Sequence, residues 1–306
     1  MLSPRDVITD PVLGNVSIAY SNDTYIADRI FPVVQVGKQS GKYYLFDKTS
    51  LALSDSLRAA GSPSNEVEHA YSTDTYFAED HALKEFVPDE VQDQTDPGID
   101  VLSDATENVT ERILVGKENE LATMLTDTAQ VTQNTTLSGT AQWSDYANSD
   151  PIGDVRTGRS TIQGQMFRKA NTLLLGQQVF DVLVDHPDIV ERVKYSALGV
   201  ITEELLARVF QVEQVIVGGA GKNTGTEGAA DALSYVWGKN AILLYVPTRA
   251  GMRQPAAGYT FTYGAPRVKR WRDEDREGTY VRVGGYYYDQ KITAVGGIYL
   301  IKNAVA

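Results

Sequence analysis

Residues 171–220 read NTLLLGQQVFDVLVDHPDIVERVKYSALGVITEELLARVFQVEQVIVGGA, and this stretch decides the fold class. Thr172 to Leu175 is a short apolar run closed by Gly176, the pattern of a buried strand. Val179, Leu183 and Val184 then share one helical face. That pattern stops at His186 and Pro187, because proline disfavours helix in the residue before it. Asp188 is placed to cap a second short helix over 189–194. Thr202 opens a third helix that packs Leu205, Leu206 and Val209, and Gln214 to Val217 returns as a strand ending in Gly218 and Gly219. The order is strand, broken helix, helix, strand. It is an α/β module with no catalytic side chain where its strands end.

Toward the N-terminus, Asp150 and Pro151 open a helix that runs to about Lys169, with proline in its first turn. Thr132 to Ser149 is polar and turn-rich, with Trp143 and Tyr146 as packing anchors. Ile99 to Ala129 is the longest helical candidate. Leu102, Ala105, Val109, Ile113, Leu121, Met124 and Leu125 recur at three- and four-residue steps, with Lys117 interrupting the row. Ser103 or Asp104 is the expected cap. Roughly 27 residues of helix would span ~40 Å; Gly116 weakens its middle without ending it.

Before that helix the chain reads as strands. Lys42 to Asp47 and Val67 to Phe77 are rich in aromatic and β-branched residues. Between them, 48–65 is a polar loop longer than a compact domain keeps without a purpose. A lone hairpin is only marginally stable in water, so this one is expected to lie across another molecule. Ala82 to Glu90 ends the extended region at Val87 and Pro88. The first 35 residues contain Pro4, Pro11 and Pro32 and little periodicity outside Ile26 to Phe31, which describes an arm leaning on its own domain or on a neighbour.

Toward the C-terminus, 221–238 reads as irregular, Ala241 to Val246 as a strand, 247–258 as a loop and Tyr259 to Tyr263 as a strand. Arg267 to Arg282 mixes six bases with four acids around Trp271, a self-paired solvated face. Gly284 to Ala304 reads as two closing strands.

At 306 residues the chain can bury a sizeable core, and its 42% hydrophobic and 22% charged residues are ordinary globular usage. The absence of cysteine excludes disulfides and thiolate metal sites. MLSPRDVITD has no basic segment followed by an apolar one, and no apolar run approaches the ~20 residues that cross a bilayer; a soluble protein without a secretory signal is expected. The net charge of −12 is uneven: residues 1–110 hold 19 acids against 7 bases, and the remainder holds 21 of each. Between Glu66 and Glu107 there are 13 carboxylates and one base, Lys84, so this surface repels nucleic acid.

Catalytic patterns fail on their own residues. Gly219 to Gly225 (GAGKNTG) invites a phosphate-loop reading, but the pattern wants glycine at 216 and a hydroxyl residue at 223, where Ile216 and Asn223 stand. His69, His81 and His186 are too scattered for a zinc site, and no Gly-x-Ser-x-Gly occurs. No catalytic residue, cofactor or metal ligand is assigned.

The order of parts resembles the major capsid proteins of tailed bacteriophages. The likeness rests on Leu-Leu-Leu-Gly, a helix ending near His-Pro-Asp-Ile, Thr-Glu-Glu-Leu-Leu-Ala and Val-Ile-Val-Gly-Gly-Ala. The resemblance implies an α+β chain with the Johnson fold, built of N-arm, E-loop hairpin, long spine helix, P-domain and A-domain. It implies the division 1–35 arm, 36–80 E-loop, 81–169 P-domain with a spine helix at about 101–129, 170–285 A-domain and 286–306 strands returning to the P-domain. The function implied is a structural, non-enzymatic subunit whose pentamers and hexamers close an icosahedral shell around double-stranded DNA, held without sequence-specific binding and assembled in the host cytoplasm. Scaffolding, portal and decoration proteins are the other implied partners. Candidate inter-subunit residues are Lys42, Tyr43, Tyr44, Phe46, Lys48, Arg58, Arg249 and Arg253. Some relatives join subunits by a lysine–asparagine isopeptide bond; Lys38, Lys42 and Lys48 occupy the matching region and Asn303 is a conceivable acceptor. The alternatives are an encapsulin-type shell around cargo protein and a soluble α/β enzyme.

Overall fold

A computed structural model describes residues 8–9, 25–45, 53, 56–58, 61, 63–66, 72–94, 100–194, 201–225, 231–251 and 254–306. In chain order the elements are β1 (Ile8–Thr9), α1 (Ala27–Ile30), β2 (Val33–Val36), β3 (Ser40–Leu45), β4 (Ser72–Phe77), β5 (Glu79–Pro88), α2 (Asp89–Gln94) and α3 (Val101–Thr126). Next come β6 (Asn134–Thr136), α4 (Pro151–Met166), β7 (Thr172–Gly176), α5 (Gln177–Val184), α6 (Pro187–Val193), α7 (Glu203–Phe210) and β8 (Gln214–Gly218). The chain closes with β9 (Gly221–Asn223), β10 (Leu233–Tyr235), β11 (Ala241–Leu244), β12 (Gly258–Tyr263), β13 (Arg267–Asp273), β14 (Gly278–Ile292) and β15 (Ile298–Lys302).

The deciding stretch folds as β7, α5, α6, α7 and β8. Its two strands pair in parallel inside a five-stranded sheet of order β6-β15-β11-β7-β8. Every residue of β7 is buried, as an unbroken apolar run demands of a strand covered on both faces. Leu173 and Leu175 point to one core, with Leu183, Leu206, Phe210 and Ile162 of the surrounding helices. Leu174 points to the other, with Ile26, Ile30 and Phe31 and with Leu121 and Leu125 of α3.

The second sheet has β14 at its centre. β5 runs along one edge of β14, while β13 pairs with its first half and β12 with its second; β2 joins β12 in parallel and β1 joins β13. Val268, Val281 and Val283 of this sheet pack on Val109 and Ile113 of α3. One helix therefore covers both sheets, its first half on one and its second half on the other. At 26 residues, roughly 39 Å, its length is what reaching both requires.

The structure corrects several local expectations. The cap of α3 is Asp100, whose Oδ1 accepts from the backbone N–H of Leu102 at 3.1 Å and of Ser103 at 3.3 Å; neither Ser103 nor Asp104 caps it, and the helix ends at Thr126. Its buried stripe does not lapse at Lys117 but continues through Lys117 and Glu118. α6 is capped by His186, not Asp188: with Pro187 in the first turn, the residue before it takes the extended cap conformation. α4 stops at Met166 because Phe167 turns left-handed at φ 52°. Of the two expected anchors, Trp143 is fully buried and donates from Nε1 to Asp154 at 2.9 Å, while Tyr146 is 43% exposed but packs edge-on against the buried His186 ring at 5.5 Å. Residues 221–238 hold an ordered hairpin, β9 with β10, around residues 226–230, which lie outside the described ones.

The two closing strands occupy different sheets. β14 begins at Gly278, before the glycine pair, and Gly284 and Gly285 form a bulge inside it, with Gly285 at φ 77°. β15 then pairs antiparallel with β11 in the five-stranded sheet.

Candidate subunit-contact surfaces

β3 and β4 pair with each other outside both large sheets. The base of this hairpin is fixed to β12: the rings of Tyr43 and Tyr76 lie 5.2 and 4.7 Å from that of Phe261. Tyr43 Oη donates to Asp74 Oδ2 at 3.1 Å, and burial, then this carboxylate, push its hydroxyl pKa up. The N–H of Phe77 donates to Asp289 Oδ2 at 2.9 Å. A Cβ on Gly41 would come within 2.6 Å of the Tyr76 hydroxyl, so the close approach needs glycine. Beyond this base, Leu53 and Leu57 are 104% and 85% exposed. An anchored base and exposed apolar side chains in the segment joining β3 to β4 mark this hairpin as a contact surface for a neighbour.

Of the candidate contact residues, Lys42, Tyr44 and Arg58 are exposed on or beyond the hairpin, and Arg249 is exposed in the loop after β11. Tyr43 turns inward and is only 2% exposed, because strand alternation places it on the Phe261 side. Phe46, Lys48 and Arg253 lie outside the described residues. Lys38 is exposed, and Asn303 is exposed at a left-handed turn, φ 54°, after β15.

Glu118 of α3 joins three separate parts of the chain. Its Oε1 accepts from Trp237 Nε1 at 2.6 Å, and its Oε2 accepts from the N–H of Ala27 at 2.8 Å; the N–H of Ile26 lies 3.2 Å from both oxygens. The carboxylate thus satisfies the first amides of α1 and holds the segment leading into β11. Burial pushes its pKa up, although these three donors pull the other way. Next to it, Lys117 Nζ meets Asp28 Oδ1 at 2.6 Å. Neither junction was visible as such in the sequence; the clue was an acid following a base inside an apolar stripe.

On the five-stranded side, the β9–β10 hairpin leaves Leu233 80% and Tyr235 42% exposed. With Gln178, Lys222 and Lys239 it borders a cleft of ≈ 730 Å³. Lys222, the lysine of GAGKNTG, lies on β9 and donates to Asn119 Oδ1 at 2.7 Å. His186 is fully buried: its Nδ1 accepts from the Asp188 N–H at 3.3 Å, and Nε2 lies 3.1 Å from Ser149 Oγ. His81 stacks on Tyr288 at 4.0 Å, and His69 lies outside the described residues. Among the described residues no group of three or more His, Cys, Asp or Glu is placed to hold a metal ion, and no helix is long and apolar enough to cross a membrane.

Known proteins share this arrangement across nearly the whole chain. The sequence model of the family described as phage major capsid protein E matches residues 109–283. The major capsid protein of Burkholderia phage BcepMu is 31% identical over 309 residues, spanning 97% of this chain and 96% of that protein. A phage-related protein of Bordetella bronchiseptica RB50 superimposes with a TM-score of 0.76 at 28% identity, covering 97% of this chain and 98% of the other. The capsid structure of the cyanophage P-SCSP1u, at 10% identity, shares the fold with a TM-score of 0.62 over 89% of this chain and 86% of its own. The chain belongs to the phage major capsid protein E family and has the tailed-phage capsid fold, an α+β architecture.

Proposed function

We propose that this capsid subunit assembles as pentamers and hexamers that close an icosahedral shell around double-stranded DNA. The observation that carries the reading is the β3–β4 hairpin: its base is pinned to β12 through Phe261, while Leu53 and Leu57 in the segment joining the two strands have strongly exposed apolar side chains. Exposed apolar side chains on an anchored hairpin are stabilised when a neighbour covers them. Repeated around a symmetric particle, interfaces of ordinary size then stabilise the shell by number.

The two sheets suggest how the chain divides. The unit built on β14, with the hairpin and the first half of α3, takes the part of P-domain and E-loop. The five-stranded unit with α4 to α7 takes that of the A-domain. Residues before α1 take that of the arm, and β15 joins the A-domain side. The DNA inside is held without sequence-specific contacts. A scaffolding protein supplied as a separate chain, a portal and decoration proteins complete the particle, and assembly takes place in the host cytoplasm. Catalysis and cofactors have no part in this role.

Light scattering with negative-stain microscopy on the purified chain, alone and with co-expressed phage proteins, tests the reading. Closed shells, sheets or hexamer-sized rings are the expected products. Shells filled with a single cargo protein would replace the reading with a nanocompartment, and a monomer that saturates with a small ligand would overturn it.

A further inference from the structure

The face of the β14 sheet turned away from α3 carries an unusual ladder. Register places Lys84 opposite Arg282 and Arg282 opposite Lys269, so three cations stand abreast across β5, β14 and β13. Directly opposed like charges destabilise a sheet. The adjacent row is Phe86, Tyr280 and Trp271, in ring contact at 4.8 and 5.3 Å. Two adjoining clefts of ≈ 500 and ≈ 340 Å³ share Lys269 and Arg282 and form a trough along the strands. Compensation is thin for a chain with twelve more acids than bases. Arg282 reaches Asp80 only at 3.7 Å, Lys84 rests over the Tyr280 ring at 4.4 Å, and neither Lys84 nor Lys269 has a carboxylate partner among the described residues.

A trough of this kind takes anions, and two features favour protein carboxylates over nucleic acid. The central ring of the aromatic row is closed to a base, since Tyr280 is 9% exposed beneath Trp271, Phe86 and Lys84, so the row is no continuous stacking platform. Asp80 and Asp273 line the same trough, which a uniform polyphosphate would meet as repulsion but a mixed protein surface matches charge by charge.

The chain itself supplies the complement. Glu90, Asp93, Asp104 and Glu107 are exposed on α2 and at the start of α3. This acidic ridge is tied to the opposite side of the sheet: Asp89 pairs with Arg272 at 2.6 Å, and by alternation Arg272 shares the α3-facing side with Val268. A subunit cannot place its own ridge in its own trough.

We propose that the Lys84–Arg282–Lys269 trough docks the acidic ridge of a second copy of this chain. Because the two patches differ, the contact is head-to-tail, the type that closes rings. The inference rests on the capsid reading only in that copies of the chain associate.

Charge reversal tests it. A trough variant (Lys84→Glu, Lys269→Glu and Arg282→Glu) and a ridge variant (Glu90→Lys, Asp93→Lys and Asp104→Lys) are each confirmed as folded by circular dichroism. Self-association is then followed by sedimentation velocity. Each should associate about a hundredfold or more weakly than the parent chain. The chain carrying both reversals should regain association, since its charges match again. A trough variant that associates like the parent, or a double reversal that stays dissociated although both single ones do, overturns the proposal. So does a trough variant whose only defect is lost binding of a fluorescent DNA duplex, which would mark the trough as a nucleic-acid site. The comparison is run on the chains alone and with co-expressed phage proteins, and a parent chain that associates in neither case would instead remove the assembly reading itself.

Discussion

Glu118 and His186 show how single buried polar groups fix larger parts in place. Removing the Glu118 carboxylate orphans Trp237 Nε1 and two backbone amides, each costing ~1–3 kcal/mol when left buried and unpaired, so Glu118→Ala should lose at least about 3 kcal/mol in denaturant melts. The native pKa lies above the ordinary glutamate value of 4.5. In that window the native state keeps a proton the unfolded chain has lost, so this group's contribution to stability is full below 4.5 and fades as pH rises through the raised value. Glu118→Gln should abolish that part of the pH dependence; an unchanged slope would mean the group does not titrate there. His186 has the opposite sign. Burial lowers its pKa from 6.5, so its contribution is present above that value and lost as pH falls. Protonation puts a hydrogen on Nδ1, which now accepts from the Asp188 N–H. His186→Asn keeps a cap acceptor, and thermal melts from about pH 7 to 5 should flatten relative to the parent. At this scale the sequence was least informative: Trp143 was legible as an anchor, but an acid beside a lysine reads as surface until its three donors, brought from 92 and 119 residues away, are known.

Elements were more legible, because their causes are local. The apolar run of β7, the Asp150–Pro151 start of α4 and the Thr202 cap of α7 are all carried by neighbouring residues. Ends were harder, since an Asp100 cap competes with Ser103 and Asp104 in sequence, and a Gly-Gly pair looks the same whether it ends a strand or bulges one. Asp100→Ala should cost ~1 kcal/mol, the usual worth of a cap, read as a lower denaturation midpoint with unchanged slope. The β3–β4 hairpin makes the more informative element-level prediction. Deleting 48–65 leaves the Phe261 anchor and both large sheets intact, so the subunit should melt close to the parent temperature yet fail to form shells. Normal closed particles from that variant would take the loop out of the assembly argument.

The whole molecule is organised by sharing one helix between two sheets, and that could not be read from the chain. The late strands could be marked one by one in the sequence, but not their partners: β12 with β14 and β11 with β15 pair across tens of residues, and β5 with β14 across about two hundred, which local patterning does not encode. The consequence is mechanical. Leu121 and Leu125 belong to the core under the five-stranded sheet, and Val109 and Ile113 to that under the β14 sheet, on one continuous helix. Unfolding either sheet strips half of α3, and a helix of half that length is marginal in water. The subunit should therefore unfold as one cooperative unit despite its two cores. Leu174→Ala in the five-stranded sheet should cost ~2–5 kcal/mol, and Val281→Ala in the β14 sheet should also destabilise. In calorimetry each should shift one common transition seen by both near- and far-ultraviolet circular dichroism. Two transitions, each answering to only one of the substitutions, would mean that the sheets fold independently and that α3 does not couple them.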